Sequence, residues 1–416
     1  MPKLEIDRNR LLARHEAMAA FGATGRGGVD RPALGPAETQ ARGALLDWAR
    51  ARGFRCAVDP IGNLLIRRSG LDETAAPVRT GSHLDSQTPG GNYDGVYGVL
   101  AGFEVLETLE DAGFETLRPV EVMVWNNEEG VRFAPTTMGS AVHAGAIPLA
   151  VALDRTDQDG ISVQRALADS FPRLGALVQV PLKTPAYAYV EAHIEQGPLL
   201  EAQGKTIGIV SGIQGVVQFT VSVFGKEMHA GTTPRLNRKD ALLGAIEIMA
   251  RFHDLANDPE DQVRFTVGRM TVRPGAPNTV PSEVVFSIDL RHPVPETLAG
   301  LRKGIEEIAR AGAPPCAVTI VETLNSPPVR FDARLVDLVG QAALKIGAAT
   351  LELHSGATHD AKFMAALCPT TMIFIPCRGG LSHNEAEWAE RDHMIAGANV
   401  LLSVIRGLAD EHDQRQ

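Results

Sequence analysis

The strongest constraint on the fold is a strand–helix–strand pattern between residues 77 and 127. The segments "PVRTGSHLD" (77–85) and "PVEVMVWNN" (119–127) are apolar, β-branched runs of strand length. Between them, apolar residues recur at helical spacing and predict a helix over 95–112; they are Val99, Phe103, Leu106 and Leu109. This order is typical of an α/β fold with a central, mostly parallel sheet and helices on both faces.

Residues with metal-binding chemistry follow both predicted strands. His83 ends the first strand, Glu128 and Glu129 follow the second, and Asp94 comes after a Gly-rich turn between them. Ligands bind at the carboxyl ends of parallel strands, so these positions predict a site. Each residue also has an ordinary reading, since an Asp before Gly95 suits a turn or a helix N-cap, and paired glutamates suit a solvated surface.

The length and the middle of the chain predict a second domain. A chain of 416 residues is too long for one small core. The middle segments read in the order β-α-β-β-α-β, which is a split βαβ unit; they are 216–225, 239–255, 263–272, 283–292, 295–311 and 316–324. We therefore predict an inserted α+β domain at 213–328, of the ferredoxin-like kind, between two segments of one larger domain, 1–212 and 329–416.

The charge balance argues against nucleic acid and membrane surfaces as partners. The chain has 40 basic and 50 acidic residues, a net charge of −10. We recognise no signal peptide and no apolar run of membrane-spanning length. The four cysteines form no CxxC pair, so we expect no disulfide framework and favour a cytoplasmic location.

Metal-type ligands concentrate in five stretches: "SHLDS" (82–86), "NYDG" (92–95), "NNEEG" (126–130), "EAHIEQGP" (191–198) and "GLSHNEAE" (380–387). Two adjacent acids at the end of an apolar strand are costly unless a cation compensates their charge. Imidazole and carboxylate groups suit first-row divalent metals, and paired metals in hydrolytic sites share a bridging carboxylate. Together the stretches indicate a metal site.

The order of these motifs resembles the M20 family of binuclear metallohydrolases. The segments "EAHIEQGP", "HAGTTP", "PNTVPSEVVFSIDLRH" and "GGLSHNEAE" resemble its amidohydrolase branch, and the likeness runs over roughly residues 40–410. That branch contains N-carbamoyl-L-amino acid hydrolases, β-ureidopropionases and allantoate amidohydrolases. The resemblance implies a catalytic α/β domain and an inserted lid domain that forms a homodimer.

The resemblance also implies two divalent metal ions in each subunit. His83 and His193 should hold one ion, Glu129 and His383 the other, and Asp94 should bridge them. This ligand chemistry accepts Zn, Mn, Co or Ni. Peptidase and aminoacylase members have an acid at the position of His193, whereas the ureido branch has a histidine, as this chain does.

Three further residues receive catalytic roles from the resemblance. Glu128 should be the general base, a role that typically contributes 10²–10⁴-fold to the rate. Asp85, two residues after His83, should fix that imidazole without binding metal. His229 should stabilise the developing oxyanion from the other subunit of the dimer.

Substrate contacts are expected from Gln196, Asn278, Arg291 and His359, in addition to His229. An arginine at the end of the strand over 283–292 suits a substrate carboxylate, and a surface pair with Asp289 is the alternative.

The resulting prediction is hydrolysis of an N-carbamoyl-L-amino acid to the amino acid, ammonia and carbon dioxide. The substrate is thus a small ureido or amide compound with a carboxylate. The alternatives are a β-ureidopropionase, an allantoate amidohydrolase, an N-acyl amino acid deacylase or peptidase of the same family, and a non-catalytic binding protein on this scaffold.

Overall fold

The structure, a computed structural model, describes residues 4–411. Residues 1–3 and 412–416, at the two ends of the predicted larger domain, lie outside this range. The α-helices are α1 (Arg8–Ala19), α2 (Pro36–Ala51), α3 (Val96–Asp111), α4 (Met138–Ala144), α5 (Leu149–Leu153), α6 (Val163–Ser170), α7 (Leu199–Ala202), α8 (Ala241–Leu255), α9 (Pro295–Ala311), α10 (Ala333–Lys345), α11 (Ala361–Met364) and α12 (Arg391–Ala409).

The strands of the same range are β1 (Arg55–Val58), β2 (Leu64–Arg68), β3 (Val78–His83), β4 (Val120–Trp125), β5 (Val178–Gln179), β6 (Ala188–Ile194), β7 (Ile207–Ile213), β8 (Gly215–Phe224), β9 (Met228–His229), β10 (Arg264–Thr266), β11 (Met270–Arg273), β12 (Thr279–Val280), β13 (Glu283–His292), β14 (Ala317–Ser326), β15 (Val329–Arg330), β16 (Thr350–Ser355) and β17 (Thr370–Ile375). Short 3₁₀ helices lie at Phe171–Leu174, Arg235–Asn237 and Arg378–Gly380.

A ten-stranded sheet forms the centre of the first compact unit, which comprises residues 4–211 and 330–411 of the described range. Its strand order is β15-β7-β17-β6-β3-β4-β2-β1-β5, with β16 beside β7. The four central strands β17, β6, β3 and β4 run parallel, and antiparallel strands flank them. The predicted mixed α/β fold with a mainly parallel central sheet is confirmed.

The helix predicted between the first two parallel strands is α3, and it is buried along most of its length. It packs on β3, β4 and β6, so its apolar residues enter the main core. Gly98 allows the closest approach to the sheet, because a Cβ there would lie 2.2 Å from the carbonyl oxygen of Ala192 and 2.8 Å from the Cβ of Ser82.

The second compact unit, residues 212–329, contains a five-stranded antiparallel sheet and the helices α8 and α9. Its strand order is β10-β13-β8-β14, with β11 also paired to β13. Along β13 every second residue is buried, as alternation predicts for a strand with one face on the core. The buried residues are Val284, Phe286, Ile288, Leu290 and His292.

The single strand predicted over 263–272 is wrong in one respect, because the structure divides it into β10 and β11. Thr266 pairs with Asp289 and Met270 pairs with Phe286, so four residue steps on this side oppose three on β13. The extra residue makes a bulge near Gly268, a residue type common at such breaks.

Membrane-spanning helices were sought in residues 4–411. None of the helices there has both the length and the apolar character that a membrane crossing requires.

The close contact at Gly98 predicts a stability effect. Gly98→Ala should destabilise the first unit by about 1–3 kcal/mol, because the added methyl group overlaps the backbone of β6. Thermal unfolding followed by circular dichroism measures the change. The matched control is Gly407→Ala in α12, where a Cβ meets no atom within 4 Å and a gain of up to about 1 kcal/mol is expected. Equal melting temperatures for Gly98→Ala and the unmodified protein would contradict this packing.

Candidate metal centre

The carboxylate of Asp94 lies between three imidazole groups. Its Oδ1 is 3.4 Å from Nε2 of His83 and 3.2 Å from Nε2 of His193, and its Oδ2 is 3.4 Å from Nε2 of His383. Oε2 of Glu129 lies 3.6 Å from the same nitrogen of His383. The five predicted metal ligands therefore meet at one place in the first unit.

These five residues form two groups that share Asp94. The first group is His83, Asp94 and His193, all buried, and the second is Asp94, Glu129 and His383. Within each group the candidate ligand atoms lie within 4.8 Å of one another.

The parallel strands explain why the groups meet. His83 is the last residue of β3, and His193 is the penultimate residue of its neighbour β6. Asp94 follows in the turn before α3, where Gly95 has a φ of +68° and a Cβ would lie 2.4 Å from the imidazole of His83. Only glycine suits this position, since the turn needs both a positive φ and close contact with the imidazole.

The hydrogen bonds of the two buried imidazoles fix which nitrogen faces Asp94. Nδ1 of His83 lies 2.9 Å from the backbone oxygen of Asp85, and Nδ1 of His193 lies 2.9 Å from that of Ile194. A carbonyl oxygen only accepts, so Nδ1 carries the proton in both rings. In the neutral ring the lone pair of Nε2 then faces the Asp94 side, which is the arrangement of metal-binding histidines, whereas in the protonated ring Nε2–H donates to Asp94.

The carboxylate of Asp85 makes a different contact from the one predicted. Its Oδ1 accepts the backbone N–H of Glu128 at 3.2 Å, and its Oδ2 accepts that of Glu129 at 3.1 Å. The same Oδ1 lies 3.8 Å from Nδ1 of His83, and this nitrogen is instead bound by the backbone oxygen of Asp85. The acid thus holds the turn that carries the two glutamates, and its backbone orients the imidazole.

Gln87 and Glu191 are residues of the centre that the sequence did not identify. Gln87 donates its side-chain amide to Oε2 of Glu129 at 2.6 Å and its backbone N–H to Oε1 at 3.2 Å. Glu191, buried on β6, accepts the hydroxyl of Ser82 at 2.8 Å. Gln87 lies two residues after Asp85, and Glu191 lies two residues before His193. This closeness to predicted site residues is the feature of the sequence that could have identified them.

Gln196 contacts the bridging carboxylate directly. Its Nε2 donates to Oδ2 of Asp94 at 2.7 Å, and its φ is +56°. His383 also has a positive φ, of +55°. Such backbone conformations are unfavourable outside glycine and concentrate at functional sites. The predicted contact of Gln196 with a substrate remains a prediction.

His359 packs against His193, with ring centroids 4.5 Å apart, and is 3% exposed. Its Nε2 lies 2.9 Å from the hydroxyl of Ser355. Burial, with the charge of His193 adding to it, holds the pKa of His359 well below its usual range. Its visible role is therefore to support His193, and a substrate contact from this ring also stays a prediction.

The acids of the centre are buried close to one another, which shifts their pKa values. Burial raises the pKa of Glu129 to about 7, and the charge of Asp94 adds to the rise. Burial likewise raises the pKa of Glu128 well above its usual value. Burial acts the same way on Asp94, but hydrogen bonds from the three imidazoles hold its pKa well below the usual range. Crowded acids of this kind favour a bound cation, and the donor set fits first-row divalent metals.

The remaining predicted residues lie in the second unit. His229 on β9 pairs with Thr279 on β12. Asn278 precedes Thr279 in the chain, so His229 and Asn278 lie close together. The backbone N–H groups of Gly231 and Thr232 donate to Nδ1 of His229 at 3.1 and 3.2 Å. The proton of this exposed ring is then on Nε2, which is a hydrogen-bond donor.

Arg291 forms the pair with Asp289 that was the alternative to a substrate contact. Its Nε donates to Oδ1 of Asp289 at 2.7 Å, and Oδ2 of the same acid accepts from Gln218 at 2.8 Å. The pair lies on the half-exposed face of β13. The acid orients the guanidinium group, so the pair and a substrate contact are compatible.

Comparisons with known proteins give a consistent result. The family model described as "Peptidase family M20/M25/M40" matches residues 80–407. The N-carbamoyl-L-amino-acid amidohydrolase of Rhizobium meliloti is 39% identical over 411 residues, covering 97% of each chain. The allantoate amidohydrolase of Bacillus subtilis is 32% identical over 409 residues, covering 98% of this chain and 99% of that one. The crystal structure of a hydantoinase/carbamoylase family amidase from Burkholderia multivorans has a TM-score of 0.91 and 41% identity, covering 99% of this chain and 100% of that one. These matches confirm the resemblance inferred from the motifs.

The shared position of Asp94 predicts a ligand-induced stabilisation. Mn²⁺ or Zn²⁺ at one hundred times its dissociation constant should stabilise chelator-treated protein by about 2.7 kcal/mol per site. Asp94→Asn should lose most of this gain, because both candidate groups contain Asp94. Thermal unfolding with and without metal measures it, with Asp47→Asn, an exposed acid on α2, as the control. An Asp94→Asn protein with the full metal-induced shift would contradict the assignment.

Proposed function

Because the chain belongs to peptidase family M20/M25/M40, we propose that it is a metal-dependent amidohydrolase that cleaves the C–N bond of an N-carbamoyl-L-amino acid. The products are the amino acid, ammonia and carbon dioxide. One observation carries the proposal: a buried acid, Glu128, lies beside two ligand groups that share Asp94, with Oε2 3.6 Å from Nε2 of His83. This combination of a base and metal ligands is suited to the hydrolysis of an amide.

The five residues of the two groups would hold two divalent ions, of Zn, Mn, Co or Ni. When bound, such ions polarise a carbonyl group and lower the pKa of water. The support for two ions is that Oδ1 of Asp94 faces His83 and His193, whereas Oδ2 faces His383. Asp85 holds the backbone of Glu128 and Gln87 holds the side chain of Glu129, so this segment needs little rearrangement.

Glu128 transfers protons in this mechanism. It accepts a proton from the attacking water and returns it to the leaving nitrogen, which departs as ammonia. The N-carboxy amino acid that remains then loses carbon dioxide to give the amino acid. Burial raises the pKa of Glu128, and a base with a raised pKa is stronger than an exposed glutamate. Asp85 holds the backbone N–H of Glu128, so the base is fixed relative to the ligand Glu129 beside it.

Residues of the second unit recognise the substrate. His229 stabilises the developing oxyanion from the other subunit of a homodimer, which its Nε2–H donor supports. Asn278 lies next to the strand that pairs with His229 and donates to the substrate. Arg291 binds the substrate carboxylate with its planar guanidinium group, and Gln196 contributes a further contact from the first unit.

The second unit also acts as a lid and dimerisation domain in this proposal. Within the described chain, β14 lies at the end of its sheet and pairs with β8. Two of its apolar side chains are well exposed, Val321 at 59% and Leu324 at 42%. An edge strand with exposed apolar residues is suited to pairing with a second copy.

The unpaired thiols of the four cysteines favour the cytoplasm as the location.

Allantoate hydrolysis is the second candidate function. The support is the 32% identical allantoate amidohydrolase of Bacillus subtilis, against 39% for the carbamoyl-amino-acid enzyme of Rhizobium meliloti. Both reactions cleave a ureido C–N bond, so the same metal groups and base serve either.

Glu128→Gln tests the proposed chemistry. Ammonia release is measured on N-carbamoyl-L- and D-amino acids, N-carbamoyl-β-alanine and allantoate, with amino acid release from N-acetyl amino acids. We expect the L-carbamoyl compounds to react fastest, and the variant to lose about 10²–10⁴-fold in kcat while it keeps its metal.

Two results would contradict this account. Retained turnover in Glu128→Gln would exclude Glu128 as the base. If the unmodified protein releases no ammonia from any ureido compound, the proposed substrate class is excluded. Fastest turnover of allantoate supports the second candidate.

The dimer has its own test. Val321→Lys with Leu324→Lys should convert the dimer to a monomer, because two charges on an edge strand oppose strand pairing. Sedimentation velocity measures the mass. The control is Leu71→Lys, an apolar residue of the first unit that is 66% exposed, which should leave the dimer intact. A dimer that survives both lysines would show that β14 is not the interface.

A further inference from the structure

Glu387 is a buried acid beside the metal centre that none of the roles above uses. It lies four residues after His383 and is 3% exposed. Its Oε1 accepts the backbone N–H of Tyr93 at 2.9 Å and that of Asp94 at 3.0 Å. The acid therefore holds the turn that carries the bridging carboxylate, as Asp85 holds the turn with the two glutamates.

The other oxygen of Glu387 reaches the segment of His383. Its Oε2 accepts the hydroxyl of Ser382 at 2.9 Å, and the same hydroxyl lies 3.1 Å from Oδ2 of Asp94. A serine hydroxyl has one proton to donate. When the oxygens of Asp94 bind cations, that proton is donated to Glu387, so Ser382 does not compete for the bridging carboxylate.

The turn before Asp94 is shaped to admit this acid. A Cβ at Gly91 would lie 2.1 Å from Cδ and Oε1 of Glu387, so a larger residue cannot occupy that position while Glu387 is in place. The neighbouring Tyr93 is stacked on His15 with ring centroids 4.6 Å apart, and it makes a T-shaped contact with Trp388 at a centroid distance of 5.8 Å. Packing thus holds Tyr93, whose backbone N–H Glu387 accepts.

We infer that Glu387 is a positioning residue that joins the Asp94 turn to the His383 segment and so retains the second metal ion, the one held by Asp94, Glu129 and His383. This inference rests on the two-ion centre proposed above. The first ion depends less on Glu387, because its ligands His83 and His193 are fixed by backbone carbonyls of their own segments.

Metal affinity tests the inference without an activity assay. In Glu387→Gln the amide oxygen still accepts the two backbone N–H groups, but its NH₂ faces Ser382 and turns that hydroxyl towards Asp94. Chelator-treated protein is titrated with Mn²⁺ alone in equilibrium dialysis, and melting temperatures check the fold. We expect the second ion to bind about 10–100-fold more weakly and the first to change little.

Two further variants complete the design. Ser382→Ala should also weaken binding of the second ion, because it removes the hydrogen bond between Ser382 and Glu387 while both backbone contacts of Glu387 remain. This variant tests the inference if Glu387→Gln does not fold. Glu385→Gln is the matched control, since this acid lies in the same segment and pairs with the exposed Arg26 at 2.7 Å. It should bind both ions as the unmodified protein does.

The contrary outcomes are distinct. Unchanged binding of both ions in folded Glu387→Gln, or an equal loss of both, would overturn the inference. An unmodified protein that binds one ion contradicts the proposed two-ion centre instead, and the effect of Glu387→Gln on that ion then decides whether Glu387 is a positioning residue.

Discussion

The attraction between one buried carboxylate and three imidazoles is the interaction on which the rest of this site depends. Asp94 is 5% exposed, and the nearest nitrogen of each imidazole lies 3.2–3.4 Å from one of its oxygens. Charges at such distances interact strongly when they are shielded from water. The two oxygens of Asp94 face different partners, so a single residue defines both ligand groups.

The fold supports the site with two acids that act in the same way. Acids outside the ligand groups, Asp85 and Glu387, each accept two consecutive backbone N–H groups, at Glu128–Glu129 and at Tyr93–Asp94. Parallel neighbouring strands bring the buried imidazoles to one end of the sheet. Ligand side chains are therefore oriented by backbone hydrogen bonds as well as by their own packing, which preserves the geometry that metal binding requires.

The sequence predicted what depends on periodicity and on motif order. The helix α3 and the strand β13 followed from the spacing of their apolar residues, and the ligands from motifs at strand ends. The bulge near Gly268 was missed because it depends on the partner strand, which a single segment does not reveal. Gln87 and Glu387 were missed because their contacts cross between loops, where polar residues have no period that marks them. The tautomers of His83 and His229 likewise depend on backbone groups placed by the fold.

Anomalous X-ray diffraction from crystals grown with Mn²⁺ or Zn²⁺ tests the central claim most directly. Data collected on both sides of the metal absorption edge locate each ion independently of the protein coordinates. Two ions per chain, about 3.5–4 Å apart on either side of Asp94, are the predicted result. A single ion, or ions bound away from Asp94, would contradict the shared carboxylate and the mechanism built on it.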